Sequence, residues 1–163
     1  MKGVVIYDTY YGNTKAVAEA IVEQLKAEGH DADLRNVKEK YTEPPQGDIM
    51  FLGSPIRMGS VTRKMKKYVK KLDKVAWKDK PVVVFTTILL QPENATDKQK
   101  ESREKYDIAA GRRFGDLARA EGLRVVENHL WVDVKGMKGP LVETAADTTK
   151  QFTRDILLSL KKN

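Results

Sequence analysis

With 163 residues, 40% of them hydrophobic and 33% charged, the chain has the length and composition of one soluble globular domain spanning 1–163. It contains no cysteine, which excludes disulfides, thiolate catalysis, cysteine-ligated iron–sulfur clusters and Cys-type zinc sites. Its 30 Lys and Arg against 23 Asp and Glu leave a net charge of +7, a balance that first directs attention to nucleic acid or an anionic membrane.

Periodicity and punctuation order the elements. Lys2 to Asp8 is a short apolar run, and Gly12-Asn13-Thr14 opens a helical stretch with Val17, Ala18, Ile21 and Leu25 on one face, closed by Gly29. Asp31 to Val37 alternates as a second strand, the turn-rich YTEPPQG follows, and Asp48 to Gly53 reads as a buried third strand. Val61, Met65, Tyr68, Val69 and Leu72 share a helical face. Pro81 starts a fourth strand, VVVFTT, whose unbroken apolar character fits a central parallel strand covered on both faces. ILLQPENAT reads as a loop. Thr96 is placed to cap a helix from about Asp97 to Ala120, with Ile108, Ala109, Leu117 and Ala118 as its inner face and Gly122 as its end. Leu123 to Val134 makes a fifth strand, 135–140 a turn, and Leu141 to Lys161 the last helix.

Strand and helix alternate throughout, which predicts an open, doubly wound α/β domain: a five-stranded parallel sheet with helices on both faces. In the order 2-1-3-4-5 the chain reverses direction between strands 1 and 3, so the ligand crevice belongs to the loops starting at Thr9, Ser54 and Thr86.

The excess charge is local. Residues 62–80 hold Arg63 and eight lysines against Asp73 and Asp79, a net of +7, and the rest of the chain balances at 21 basic and 21 acidic residues. The segment reads as a largely amphipathic helix with its lysines in water. At the N-terminus the apolar run Val4 to Tyr7 stops at Asp8, too short for a signal-peptide core, and no later run approaches a membrane span. The expectations are a cytoplasmic location and no membrane span.

The first loop, Thr9-Tyr10-Tyr11-Gly12-Asn13-Thr14, joins a buried strand to a helix N-terminus and offers hydroxyls, a glycine and free N–H groups, a combination suited to phosphate. A capped strand-to-helix turn would use the same residues. VVIYDTYYGNTKAVAEAI resembles the phosphate-loop signature of flavodoxins, carried by Tyr7, Thr9, Gly12, Asn13, Thr14 and Ala18. Tyr11 stands where short-chain flavodoxins usually have Ser or Thr. The second loop, Gly53-Ser54-Pro55-Ile56-Arg57-Met58-Gly59-Ser60, also resembles that of flavodoxin-like NAD(P)H:quinone oxidoreductases and, more distantly, of protoporphyrinogen dehydrogenases.

The resemblance implies a flavodoxin-like fold that binds FMN. Thr9, Tyr10, Tyr11, Gly12, Asn13 and Thr14 would take the phosphate. Ser54, Pro55, Ile56, Arg57, Met58 and Gly59, with Thr86, Thr87 and Ile88, would hold the ring. Met58 would cover a ring face where many flavodoxins have Trp. Tyr106 is the candidate by chain order for the stacking Tyr of the loop after strand 4, and equally an exposed helix residue; Leu89, Leu90 and Gln91 are candidate lids. In flavodoxins a backbone flip beside flavin N5 often accompanies reduction, and Gly59 or Ser60 falls near that place.

Other residues make weaker claims. His30 and His129 lack the neighbours of a metal site, Gly111 to Gly115 lacks a dinucleotide fingerprint, and Trp77 and Trp131 read as packing residues. The expected function is a single-electron carrier that needs no catalytic side chain. The alternative is a quinone-reductase or protoporphyrinogen-dehydrogenase type enzyme, and a nucleic-acid module would need no cofactor loop. The basic helix 62–80 then becomes a docking face for redox proteins with acidic patches, on a monomer that binds no nucleic acid.

Overall fold

The computed structural model describes residues 1–162. Six parallel strands form one sheet: β1 (Lys2–Tyr7), β2 (Asp31–Asn36), β3 (Ile49–Pro55), β4 (Pro81–Leu89), β5 (Arg124–Val125) and β6 (Leu130–Val134). The order is β2-β1-β3-β4-β5, with β6 also paired to β4, so β5 and β6 continue one another along the same neighbour. The predicted fifth strand is therefore present but interrupted. Val82 faces Val125 and Phe85 faces Leu130, leaving four residues opposite two, a bulge that carries His129.

Successive strand residues point to opposite faces, and each face has its own core. Val4, Ile6, Met50, Leu52, Val82 and Val84 pack with Met65 and Val69 of α2 (Arg63–Lys71) and with Phe114 and Ala118 of α4 (Ala109–Ala120). Val5, Phe51, Val83 and Phe85 pack with Val17, Ile21 and Leu25 of α1 (Asn13–Ala27) and with Ile156 and Leu157 of α5 (Ala145–Lys161). Gly53 has no room for a side chain, because a Cβ there would lie 2.0 Å from the Phe85 ring.

Several predicted boundaries move. Ser54 and Pro55 belong to β3 and Thr86, Thr87 and Ile88 to β4, because Ser54 pairs with Thr86, Pro55 with Thr87, and Thr87 also with Val132. Parallel neighbours on both sides carry β4 to Leu89, so the third loop starts at Leu90. The basic helix ends at Lys71, where the Lys74 ammonium donates to the carbonyls of Lys70 and Leu72. A turn anchored by buried Trp77 follows, whereas Trp131 is 40% exposed on β6 and is not the packing residue expected. The last helix starts at Ala145 rather than Leu141, since Leu141 bridges back to Val134.

The predicted helix 97–120 is a rod in three parts: α3 (Asp97–Arg103), a π-helical turn (Glu104–Ile108) and α4. The wider π turn rotates everything after it. The buried face therefore becomes Ala110, Phe114 and Ala118, and Ile108 and Ala109 are only partly covered.

Candidate functional site

A cavity of about 290 Å³ lies at the C-terminal ends of β1, β3 and β4. This is the switch point, where neighbouring strands send their chains to opposite faces. Its walls are Thr9, Tyr10, Tyr11, Asn13, Thr14, Pro55, Ile56, Arg57, Met58, Thr87, Ile88, Leu89, Val134, Gly136 and Met137.

One end is a set of hydrogen-bond donors. Gly12 takes φ +93°, a left-handed turn that glycine adopts without strain, and α1 begins immediately after it with no side-chain cap. The first turn of α1 contains no acidic residue, so nothing within the helix itself opposes its partial positive charge. The Thr9 hydroxyl accepts from the Gly12 N–H at 2.9 Å, which closes the loop and leaves its own O–H free to donate. Thr14 and Thr87 hydroxyls are 2.9 Å apart; one proton lies between them and the other is free to donate.

Behind this cradle sits Asp8, 1% exposed. One carboxylate oxygen accepts from the Thr9 N–H at 2.9 Å and lies 3.2 Å from the Lys38 ammonium. The other accepts from the Thr62 hydroxyl at 2.5 Å, and Thr62 in turn caps α2 by accepting from the Met65 N–H. The buried charge is thus paired and hydrogen-bonded, and it ties the first loop to the start of the basic helix. Lys38 also donates to the Thr9 carbonyl.

The other end is apolar and bounded by a tight hairpin. Arg57 and Ser60 exchange two backbone hydrogen bonds, 2.9 and 3.1 Å. Met58 and Gly59 between them have φ +52° and +75°, the conformation of a two-residue primed turn. Ile56, Ile88, Leu89 and Met137 complete the apolar wall, and Met58, Tyr10 and Tyr11 stand exposed at the mouth. The Arg57 guanidinium lies 4.4 Å from the Tyr10 ring centre and the Lys38 ammonium 5.0 Å, so the rim is cationic as well as aromatic.

Of the predicted residues, Thr9, Tyr10, Tyr11, Asn13, Thr14, Pro55, Ile56, Arg57, Met58, Thr87 and Ile88 line the cavity. Gly12, Ser54, Gly59, Thr86 and Tyr106 do not. Gly12 and Gly59 shape the backbone, and buried Ser54 accepts from the Thr62 N–H at 3.1 Å. Thr86 is buried in β4 with its hydroxyl unpartnered. Tyr106 sits on the π turn, 51% exposed, with its ring 3.6 Å from where a Gly59 Cβ would be. Leu89 lines the wall, whereas the residues missed outright are Val134, Gly136 and Met137. Their signal was available: the turn after the fifth strand had to emerge beside β4. Gly139 of that turn approaches Asn13 so closely that a Cβ would lie 2.6 Å from its side-chain oxygen.

An anionic group with a flat apolar body fits a wall that combines these donors with aliphatic side chains. Comparisons with known proteins identify relatives of the chain. A flavodoxin of Aquifex aeolicus (strain VF5) is 42% identical over 69 residues, a match taking in 41% of this chain and 37% of that protein. An archaeal flavodoxin structure superposes with a TM-score of 0.73 over 99% of both chains at 19% identity, and flavodoxin 2 of Bacillus cereus with 0.68 over 98% and 99% at 17% identity. A flavodoxin domain model matches residues 4–129. That match takes in both loops that build the donor cradle and the hairpin, and the chain accordingly belongs to the flavodoxin family.

Proposed function

We propose that the chain binds FMN, the cofactor of its family, in the switch-point cavity and carries single electrons between redox proteins. The observation that carries this reading is the make-up of the cavity wall, where the Thr9, Asn13 and Thr14 side chains beside uncapped α1 meet the apolar side chains of Ile56, Met58, Ile88 and Met137. When bound, FMN supplies the redox chemistry, accepting and giving electrons one at a time.

The protein's part is binding and tuning. Thr9, Asn13, Thr14 and the neighbouring amides hold the phosphate by hydrogen bonds, while Gly12 lets the backbone approach it. Pro55, Ile56, Arg57 and Met58 flank the ring on the β3 side, and Thr87 and Ile88 on the β4 side. Gly59, Ser54, Thr86 and Tyr106 act behind this wall, and stacking by Tyr106 is no part of the proposal. No side chain needs to move a proton for outer-sphere transfer.

Partners are redox proteins with acidic patches, which the exposed cations of α2 and the rim around Tyr10 would attract to a monomeric carrier. The alternative, a hydride-accepting quinone reductase, draws on the Ser-Pro-Ile-Arg loop; rapid bleaching of the flavin on mixing with NADPH would favour it.

Fluorescence titration of the flavin-free protein with FMN and riboflavin tests the site. FMN is expected to bind at least 10-fold tighter, and Thr14→Val to narrow that ratio, because hydrogen bonds to a charged phosphate contribute about 1.5–3 kcal/mol. Equal affinities for the two flavins would contradict the phosphate assignment.

A further inference from the structure

One side chain collects two backbone carbonyls of the π turn. Arg113, on α4, donates through Nη1 to the Lys105 carbonyl at 2.8 Å and through Nη2 to the Tyr106 carbonyl at 3.0 Å. The same Nη2 donates to the Gly59 carbonyl at 2.8 Å, across 54 residues of sequence. Gly59 in turn packs directly on Tyr106: a Cβ on it would lie 3.4 Å from the Tyr106 carbonyl oxygen. Gly59 is the second central residue of the hairpin whose preceding residues, Arg57 and Met58, line the cavity. Met58, a non-glycine residue at φ +52°, holds a left-handed backbone at a cost, which contacts around the turn offset. A guanidinium offers a planar fork of donors, which an ammonium cannot reproduce.

We propose that Arg113 is a positioning residue that fixes the Met58–Gly59 turn against the π turn and thereby sets how firmly the ring end of the cavity grips a flavin. The second half rests on the FMN reading above; the first does not. Neither Arg113 nor Gly59 lines the cavity, so the effect passes through the turn and not through contact with the phosphate.

The test compares wild type, Arg113→Ala and Arg113→Lys. In the flavin-free proteins, hydrogen exchange should speed up in the 57–62 peptide of both variants while peptides from β1 and β3 stay unchanged. Riboflavin and FMN affinities should then fall together by roughly three- to tenfold, the net scale of one ordinary hydrogen bond, because the loss reaches the flavin only through the turn, with their ratio preserved. Unchanged exchange in 57–62 would overturn the proposal. So would full rescue by Arg113→Lys, which would mean that charge and not the fork matters, or a changed FMN-to-riboflavin ratio, which would mean that Arg113 acts on the phosphate. If wild type binds neither flavin, the FMN reading and the second half of the proposal fall, and the exchange data still decide the first half.

Discussion

Asp8 is a carboxylate buried directly behind a cradle built for an anion, and its partners explain why it is tolerated there. Lys38 neutralises it from one side and the Thr62 hydroxyl binds it from the other. Thr62→Val would remove both that donor and the cap of α2, and unfolding in urea should show a loss of about 2–3 kcal/mol, with Thr62→Ser close to wild type. His129 gives a pH-dependent counterpart. Burial in the bulge, its largest influence, holds the imidazole below its ordinary 6.5. The unfolded chain then takes up a proton more readily than the folded one. This group's contribution is therefore fully favourable above about pH 7, declines as pH falls through 6.5, and levels off below the folded value. His129→Gln should flatten that part of the melting-temperature profile; an unchanged slope between pH 7.5 and 5.5 would refute the assignment. Neither residue's role was legible in sequence. Asp8 meets a hydroxyl 54 positions away, and the sequence pattern places His129 within a regular strand rather than a bulge.

At the level of elements, signals confined to a few neighbouring residues were legible and those depending on distant strands were not. Thr96 does cap its helix, and with Gln99 it forms a reciprocal capping box. α3 buries none of its residues; this cap closes its free end, and Arg103 ties its other end to Asp133 of β6. Thr96→Ala should cost about 1 kcal/mol locally, seen as faster exchange across 97–103 with little change in the global melting temperature. The π turn escaped notice because apolar spacing reports an average period, and one widened turn displaces the buried face to Ala110 and Phe114 without breaking helicity. The continuation of β4 through Thr86, Thr87 and Ile88 was hidden for a different reason. Threonine followed by apolar residues reads alike in a loop and a strand, and only pairing to β3 and β6 decides it.

For the whole molecule, the strand order, the switch point and the first two loops were readable from the chain alone. The wall contributed by Val134, Gly136 and Met137 follows from the same strand order, which sets the fifth strand beside the fourth, but how far that turn reaches over the crevice depends on the assembled sheet. The excess of +7 is confined to residues 62–80, and α2 carries six of those cations with no acid. Among the described residues no helix is long and apolar enough to cross a membrane. Association with an acidic redox partner should slow as salt is raised, since exposed charges are screened within about 10 Å at 0.1 M. Neutralising Lys64, Lys66 and Lys67 should weaken that salt dependence, and rates independent of salt in the native protein would count against the docking face.

The central claim, that this cavity holds FMN and passes electrons singly, is met most directly by spectroelectrochemical titration of the protein loaded with FMN. Two resolved one-electron steps, with potentials displaced from those of free FMN, are predicted. A single two-electron step at the potential of free FMN would contradict it.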